Sequence, residues 1–331
     1  MNLHHIVIAE VGSVHDGSFG NALRLIDACA EAQVDVVKFQ THISAAETLK
    51  DAPMPPYFKG EPRFEYFERT GFSETKWREL AAHCQARGVG FLSSPFSIEA
   101  VELLDRVGVD AFKIASGEVT NLPMLDRIAQ TGKPVLLSSG MSDWTELDAA
   151  VAVLKRGGPL VVMQCATAYP CPPEQVGLNV IAEMAARYGV PVGYSDHTFG
   201  PAAALAAAAH GAVAIEKHFT FSRLMYGSDA PNATEPTEFR DLVQWLKQVW
   251  RMTAHPVDKS DTRPYAQMKQ IFEKSVVAAR AIPAGKVIEA ADLAYKKPGD
   301  GISASRWREV IGRKAARDLA PDTKLAMQDL R

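Results

Sequence analysis

Eight short apolar runs alternate with amphipathic segments along most of the chain. The segments between the runs carry apolar residues at helical spacing, as at Leu25, Ile26 and Cys29. The runs themselves are apolar enough to be covered on both faces, which is typical of parallel strands flanked by helices. We predict these strands at His5–Val11, Val34–Gln40, Gly90–Ser93, Ala111–Ala115, Pro134–Leu137, Leu160–Gln164, Pro191–Tyr194 and Ala212–Lys217.

Eight strand–helix units over about 250 residues favour a closed barrel over an open doubly wound sheet. The sequence contains no G-x-G-x-x-G motif and no Walker loop, which also argues against an open nucleotide-binding sheet. We therefore predict a (β/α)8 TIM barrel over residues 1–252. A polar linker over 253–274 and a small C-terminal domain over 275–331 are expected to follow, because the remaining apolar residues are too few for a large core.

Residues 42–72 interrupt the strand–helix period with a proline-rich stretch and an aromatic cluster. Loops of this length in compact domains usually serve a function, so we predict a flap over the site. The aromatic residues of this segment are Tyr57, Phe58, Phe64, Tyr66 and Phe67.

Charge and cysteine content exclude several classes of protein. The chain has 36 Lys and Arg against 39 Asp and Glu, and no basic block, whereas nucleic-acid surfaces need many cationic contacts to phosphate. Four cysteines without a C-x-x-C pair do not suggest a disulfide framework. The uncharged Ala-rich stretch before Ile215 fits a barrel helix and strand better than a membrane span. With no signal peptide visible, we expect a cytoplasmic protein that binds neither membrane nor nucleic acid.

Polar residues follow each predicted strand at its carboxyl end. A barrel gathers those ends into one mouth, where barrel enzymes hold their catalytic residues. The polar residues at these ends include Glu10, Lys38, Gln40, Ser93, Ser94, Lys113, Ser116, Glu118, Ser138, Ser139, Thr167, Tyr169, Ser195, Asp196, His197, Glu216, Lys217 and His218.

Lysines and serines within this set suit a compact anion, such as a phosphate that also carries a carboxylate. The residues are Lys38, Lys113, Ser94, Ser116, Ser138 and Ser195. Each serine alone also fits a helix N-cap, and the two roles are compatible because helix N-termini favour anions.

Two histidines, His197 and His218, lie at the ends of adjacent strands, so their imidazoles can meet. With Glu10 or Asp229 nearby they would hold one divalent cation and leave positions for water or substrate. The histidine pair alone does not choose between Zn, Mn, Mg and Co.

The chain resembles the sialic acid (N-acetylneuraminate) synthases and their relatives for legionaminic, pseudaminic and spore-coat sugars. The resemblance covers nearly the whole sequence. It is carried by residues 8–12, 37–41, 91–96, 113–118, 137–141, 169–170, 193–198, 216–220, 227–229 and, in the antifreeze-like (SAF) domain of the family, 297–302.

That resemblance implies a reaction in which phosphoenolpyruvate condenses with the aldehyde of an N-acetylmannosamine-type sugar and phosphate is released. It places phosphoenolpyruvate against Lys38, Ser94, Lys113, Ser116, Ser138, Thr167 and Ser195. It implies Mn or Mg on His197 and His218, proton handling by Glu10 and Asp229, and contacts of Gln40 and Tyr169 with the sugar. It also implies a homodimer in which the small domain of one chain caps the barrel mouth of the other.

The chain departs from the family pattern at a few positions. Val14 replaces an Asn, Thr167 replaces the Asn of some members, and residues 224–226 differ from the usual ones. Lys297 stands where the family places an Arg that reaches the N-acetyl group, and a lysine lacks the planar fork of arginine.

Three other functions remain open from the sequence. A Schiff-base aldolase would use Lys38 or Lys113 as the nucleophile. The C-terminal domain alone would suggest an ice-binding module, and the whole chain could be a sugar sensor without catalysis.

Overall fold

Eight parallel strands close into a barrel in the computed structural model, which describes residues 3–53 and 61–331. The strands pair in chain order, and β1 also pairs with β8, so the sheet has no free edge. The predicted fold class is thereby confirmed. The strands are β1 (Ile6–Gly12), β2 (Val36–Thr41), β3 (Gly90–Pro95), β4 (Ala111–Ile114), β5 (Val135–Ser138), β6 (Leu160–Cys165), β7 (Val192–Asp196) and β8 (Ala214–His218).

Helices connect consecutive strands and cover the outside of the barrel, because their apolar residues pack on the outward faces of the strands. Several end at a left-handed glycine that turns the chain toward the next strand, as Gly108 does with φ +87°. The helices of this unit are α1 (Phe19–Glu31), α2 (Ser44–Glu47), α3 (Arg63–Thr70), α4 (Glu74–Ala86), α5 (Ile98–Val107), α6 (Leu122–Ala129), α7 (Trp144–Leu154), α8 (Asn179–Tyr188), α9 (Ala202–Ala209) and α10 (Pro236–Thr253).

The barrel interior changes from apolar to polar along the strands. Side chains alternate between the two faces of a strand, so every second residue points inward. Ile8, Leu92 and Leu136 are fully buried in the inner core of the barrel. The next inward positions, two residues further along each strand, are Glu10, Ser94 and Ser138, and all three line a cavity at the mouth. The barrel thus has a packed floor beneath a polar chamber.

The segment predicted as a flap contains helices α2 and α3 in its described part. Phe64, Tyr66 and Phe67 are buried, and Phe64 and Phe67, three residues apart, lie on one face of α3. Phe67 also lines the cavity at the mouth. Tyr57 and Phe58, the other aromatics of the cluster, lie outside the described residues.

A second compact unit comprises residues 256–331, after a first unit that ends at His255. It contains helix α11 (Ala266–Phe272) and an antiparallel pair formed by β9 (Ser275–Ala278) and β10 (Leu293–Lys296). The segment predicted as a polar linker therefore includes one helical stretch. The core of this unit is small and aliphatic, with Val276, Ile288, Val310 and Leu325 fully buried.

Two buried aspartates repeat one motif in this unit. Asp292 accepts hydrogen bonds from Arg280 Nε (2.8 Å) and from the Glu289 amide (3.0 Å). Asp329, 37 positions later in the sequence, accepts them from Arg317 Nε (2.7 Å) and the Ala326 amide (3.0 Å). Each carboxylate closes a short turn, and each is followed by a buried leucine.

None of the helices in residues 3–53 and 61–331 is both long enough and apolar enough to cross a membrane.

Candidate active site

A cavity of about 370 Å³ opens at the carboxyl ends of the barrel strands. Its wall brings together thirteen of the fourteen site residues expected from the sequence, drawn from all eight strands or the loops that follow them. They are Glu10, Lys38, Gln40, Ser94, Lys113, Ser116, Ser138, Thr167, Tyr169, Ser195, His197, His218 and Asp229.

Lys38 is buried at the centre of the chamber and is held by charged and hydroxyl partners. Its Nζ lies 2.8 Å from Glu10 Oε2 and donates to Ser94 Oγ at 3.2 Å. Burial alone would lower the pKa of Lys38, but attraction to Glu10 and Glu216 outweighs burial and raises it. The lysine is therefore a fixed cation at neutral pH.

Lys113 occupies the equivalent inward position on β4. Its Nζ donates to Ser138 Oγ at 2.6 Å and lies 3.6 Å from Glu216 Oε1. For this lysine burial prevails over the attraction of Glu216, and its pKa is lowered.

Glu216 links the two lysines, a role that its place among the polar strand ends did not predict. Its Oε1 lies 3.7 Å from Lys38 Nζ as well as 3.6 Å from Lys113 Nζ, and it accepts a hydrogen bond from Ser195 Oγ at 3.2 Å. Burial acts to raise the pKa of this carboxyl, but the two lysines outweigh burial and lower it. Its second oxygen, Oε2, is buried and has no hydrogen-bond partner within residues 3–53 and 61–331.

Glu10 behaves differently from Glu216 although both are buried. Desolvation raises the pKa of Glu10 to about 7, against the lowering effect of Lys38. Repulsion from Glu216 adds to the rise. Two carboxyls with opposite shifts in one chamber are typical of a site that divides proton-transfer and charge-balancing roles.

The imidazoles of His197 and His218 lie next to each other in the cavity wall. Their ring centroids are 5.4 Å apart. The carbonyl of Ala166 lies 2.8 Å from His197 Nδ1 and can only accept, so Nδ1 carries the hydrogen. His197 Nε2 then faces Tyr169 Oη at 2.8 Å.

His218 is buried, and its Nδ1 has no hydrogen-bond partner among the described residues. Asp229 Oδ2 is 4.0 Å from that nitrogen. Burial lowers the pKa of His218 to about 4, so the ring is neutral at pH 7. A buried, neutral imidazole with a vacant nitrogen is the form that binds a metal ion.

The donor set fits a divalent cation held by two protein nitrogens. In the described part of the chain no three His, Cys, Asp or Glu side chains converge as a complete metal site. His197 has its tautomer fixed by a backbone carbonyl, which is how proteins orient ligating histidines. The remaining coordination positions would fall to water or substrate, as in open catalytic sites.

Asp196 and Lys217 face away from the cavity, although both were expected among the mouth residues. Lys217 Nζ donates to Asp196 Oδ2 and to the carbonyl of Thr198, both at 2.6 Å. The pair ties β7 to β8 one residue before each histidine. Strand alternation explains the difference, since neighbours in a strand point to opposite faces.

A sequence comparison identifies the family. The match, described as the NeuB family, spans residues 25–258. This chain belongs to the NeuB family. A second match, to the SAF domain, spans residues 273–331 of the NeuB-family chain, and the resemblance drawn from the motifs is thereby confirmed.

Two curated relatives of this NeuB-family chain are similar along almost its full length. An N,N'-diacetyllegionaminic acid synthase of Campylobacter jejuni is 34% identical over 326 residues, covering 96% of this chain and 97% of that protein. The human N-acetylneuraminate-9-phosphate synthase is 33% identical over 332 residues, covering 98% of this chain and 92% of that protein.

A solved structure also resembles this NeuB-family chain. The N-acetylneuraminic acid (sialic acid) synthetase of Leptospira borgpetersenii superposes with a TM-score of 0.72 at 28% identity. The match covers 80% of this chain and 91% of that one.

One expected site residue, Lys297, belongs to the second unit. It is exposed, and its Nζ lies 4.8 Å from the ring centroid of Phe272 in the same unit. Its role toward a sugar stays a prediction.

Proposed function

We propose that this NeuB-family protein is a nonulosonic acid synthase that condenses phosphoenolpyruvate with the open-chain aldehyde of an N-acetylmannosamine-type sugar. The observation that carries the proposal is a single chamber containing two buried lysines, a row of hydroxyls and an imidazole pair. The activities named for the legionaminic acid and N-acetylneuraminate-9-phosphate relatives support it.

Phosphoenolpyruvate binds in the lysine half of the chamber. Lys38 and Lys113 supply the positive charge, and hydroxyl donors surround them. Charge-assisted hydrogen bonds to phosphate and carboxylate oxygens are stronger than hydrogen bonds between neutral groups. The hydroxyl donors are Ser94, Ser116, Ser138, Thr167 and Ser195.

The acceptor sugar binds in the other half, against Gln40 and Tyr169. The C3 carbon of phosphoenolpyruvate attacks the aldehyde carbon, and the aldehyde oxygen takes a proton to become a hydroxyl. Water adds at C2 of the former phosphoenolpyruvate, and phosphate leaves as the C2 ketone forms. In the overall reaction, phosphoenolpyruvate, the aldose and one water are converted to the nine-carbon acid and phosphate.

Glu10 is the group best suited to move protons in this sequence. Its pKa near 7 lies close to the working pH, where a general acid or base is most effective. Asp229, whose Oδ2 lies 4.0 Å from His218 Nδ1, orients the acceptor or the water beside His218.

His197 and His218 would hold a divalent cation, Mn or Mg. Such a cation supplies Lewis-acid polarisation of the aldehyde oxygen. The fixed tautomer of His197 and the vacant Nδ1 of His218 support this assignment.

We also propose that the protein acts as a homodimer in the cytoplasm. In this arrangement the SAF domain of one chain covers the barrel mouth of its partner and presents Lys297 to the N-acetyl group. The proposal rests on the resemblance to the family.

A Schiff-base aldolase on the same barrel is the second candidate, favoured by the lowered pKa of Lys113. Borohydride treatment with pyruvate or the keto acid product would trap an imine on that lysine. The synthase predicts no covalent adduct by intact mass.

The decisive screen for the synthase is phosphate release from phosphoenolpyruvate with a panel of acceptors. The panel contains N-acetylmannosamine, its 6-phosphate, and 2,4-diacetamido-trideoxyhexoses, with product mass as the second readout. Phosphate release with one acceptor class supports the proposal and names the sugar. Release of pyruvate without a condensed product contradicts it.

A further inference from the structure

A chain of polar contacts runs from behind the cavity wall to Glu10. Glu47 Oε1 lies 2.8 Å from His42 Nδ1, and His42 Nε2 lies 3.1 Å from Gln40 Oε1. Gln40 Nε2 in turn donates to Glu10 Oε1 at 2.8 Å. The chain connects α2 to β1 through the residues at the end of β2.

The His42 ring is held on both faces by aromatic rings. The ring of Phe67, from α3, stacks on one face at a centroid distance of 3.5 Å, and the ring of Phe96 stacks at 4.1 Å. The two interplanar angles are 19° and 15°, so the three rings are close to parallel. Only 5% of the His42 side chain is exposed. The imidazole therefore has no freedom to turn.

Both ring nitrogens of His42 face oxygen atoms. Nδ1 faces the Glu47 carboxyl, and Nε2 faces the carbonyl oxygen of Gln40. A hydrogen on Nε2 donates to that carbonyl oxygen, which can only accept. Burial lowers the pKa of His42, and the Glu47 carboxyl opposes this shift without reversing it.

We propose that His42 is a positioning residue, which holds the Gln40 carboxamide so that its amino group points at Glu10 and its free edge faces the acceptor sugar. The proposal rests on the proposed function, in which Gln40 contacts that sugar. An amide has two orientations of nearly equal shape, and only its partners decide between them. His42 selects one orientation by binding the oxygen, and Glu47 fixes His42 in turn.

A purely structural role for His42 makes a different prediction. If the imidazole served only as the middle ring of the stack, a phenyl ring would replace it without loss. The polar contacts would then be incidental to binding of either substrate.

The test is a double-mutant cycle between positions 42 and 40. His42→Phe keeps an aromatic ring between Phe67 and Phe96 and removes both polar contacts. We expect it to raise the KM for the acceptor about tenfold, the effect of losing roughly one hydrogen bond, with the KM for phosphoenolpyruvate unchanged. In a Gln40→Ala background the same change should have no further effect, because the group through which His42 acts is gone.

Two variants accompany the cycle. Glu47→Gln leaves the His42 ring between Phe67 and Phe96 and should also raise the KM for the acceptor. This variant still tests the proposal if His42→Phe fails to fold. His83→Phe is the matched control. It removes a contact of the same kind, His83 Nε2 to Asp27 Oδ1 at 2.8 Å, between α4 and α1, and should leave both KM values unchanged.

The proposal would be overturned if His42→Phe raised the acceptor KM equally in the wild-type and Gln40→Ala backgrounds. It would also be overturned if His42→Phe raised the KM values for the acceptor and for phosphoenolpyruvate equally. If the wild-type protein makes no product with any acceptor, the proposed function has failed. Crystal structures of wild type and His42→Phe then still decide the inference. It predicts that the contact between Gln40 Nε2 and Glu10 Oε1 is lost in the variant, and an unchanged contact contradicts it.

Discussion

Glu216 Oε1 lies 3.6 Å from the Nζ of Lys113, and both side chains are buried in the wall of the chamber. The same oxygen is 3.7 Å from Lys38 Nζ, so one carboxylate balances two buried cations. Removing a partner from a buried ion pair leaves an uncompensated charge, which is much more costly than losing an exposed pair.

Replacement of Glu216 by Gln should therefore destabilise the protein without substrate by about 3 kcal/mol. Phosphoenolpyruvate should then stabilise the variant more than it stabilises wild type, because its anionic groups supply the missing charge. Thermal unfolding with and without phosphoenolpyruvate measures both effects. Asp105→Asn, which removes a half-buried partner of Lys133 on the outside of the barrel, is the control. Equal substrate stabilisation in wild type and Glu216→Gln would contradict the charge-balancing role.

His218→Ala should abolish metal-dependent turnover while the fold survives. The vacant Nδ1 of His218 would be a ligand, and its removal leaves one imidazole where the proposal needs two. Calorimetric titration with Mn²⁺ should show binding to wild type and to the control His210→Ala, whose histidine is exposed at the end of α9. Wild-type Mn²⁺ affinity in His218→Ala would remove the metal assignment.

A complementation experiment tests whether Lys297 acts on the partner chain. Lys38→Met removes a buried cation of the chamber, and Lys297→Ala removes the exposed lysine of the SAF domain, so each homodimer should be nearly inactive. After subunit exchange, a mixture of equal amounts should regain about a quarter of wild-type activity, because about half of the dimers are mixed and one of the two sites in each mixed dimer combines an intact chamber with an intact Lys297. No recovery after subunit exchange, with mixed dimers present by native mass spectrometry, would place Lys297 in the site of its own chain, and an active Lys297→Ala homodimer would place it in neither.

We expect the stability of the SAF domain to fall at low pH because of the buried carboxylate of Asp292. Burial acts to raise the pKa of Asp292, but hydrogen bonds from Lys286, Glu289 and Arg280 prevail and hold it well below its usual value. A carboxyl with a depressed folded-state pKa stabilises the fold above its unfolded pKa of 3.8, and this stability is lost as the pH falls through the folded pKa.

Asp292→Asn should consequently cost about 2 kcal/mol at pH 7 and much less below pH 3. Thermal unfolding of the full chain between pH 7 and pH 2 measures the difference. Asp322→Asn removes an exposed partner of Lys296 in the same unit and should change little at any pH. A constant difference between wild type and Asp292→Asn across this range would show that the carboxylate charge does not contribute.

Strand alternation explains how much of this architecture could be predicted from the sequence. The eight apolar runs predicted the barrel, and the polar residues at their carboxyl ends predicted its mouth. Both predictions were possible because these features depend on local periodicity. The sequence does not show which of two adjacent polar residues points inward. Asp196 and Lys217 were consequently grouped with the mouth, although they form a buried pair on its outer side.

Glu216 was listed with the mouth residues but its role in the site was not predicted, for the same reason, although one signal was available. It lies two residues before His218, so the two residues must share a face of β8. His42 likewise lies two residues after Gln40, but it follows the end of β2, and the position of its ring depends on how Phe67 and Phe96 close around the imidazole. Contacts between segments distant in sequence are set by tertiary packing, which periodicity does not report.

The stoichiometry of a single reaction decides whether the protein is a phosphoenolpyruvate-dependent synthase. Purified protein, phosphoenolpyruvate, Mn²⁺ and the best acceptor of the panel are incubated, and phosphate and condensed product are quantified together. We expect one phosphate for each nine-carbon acid formed, and no phosphate when the acceptor is omitted. Phosphate release that does not depend on an acceptor, or a condensed product formed from pyruvate without phosphate, would contradict it.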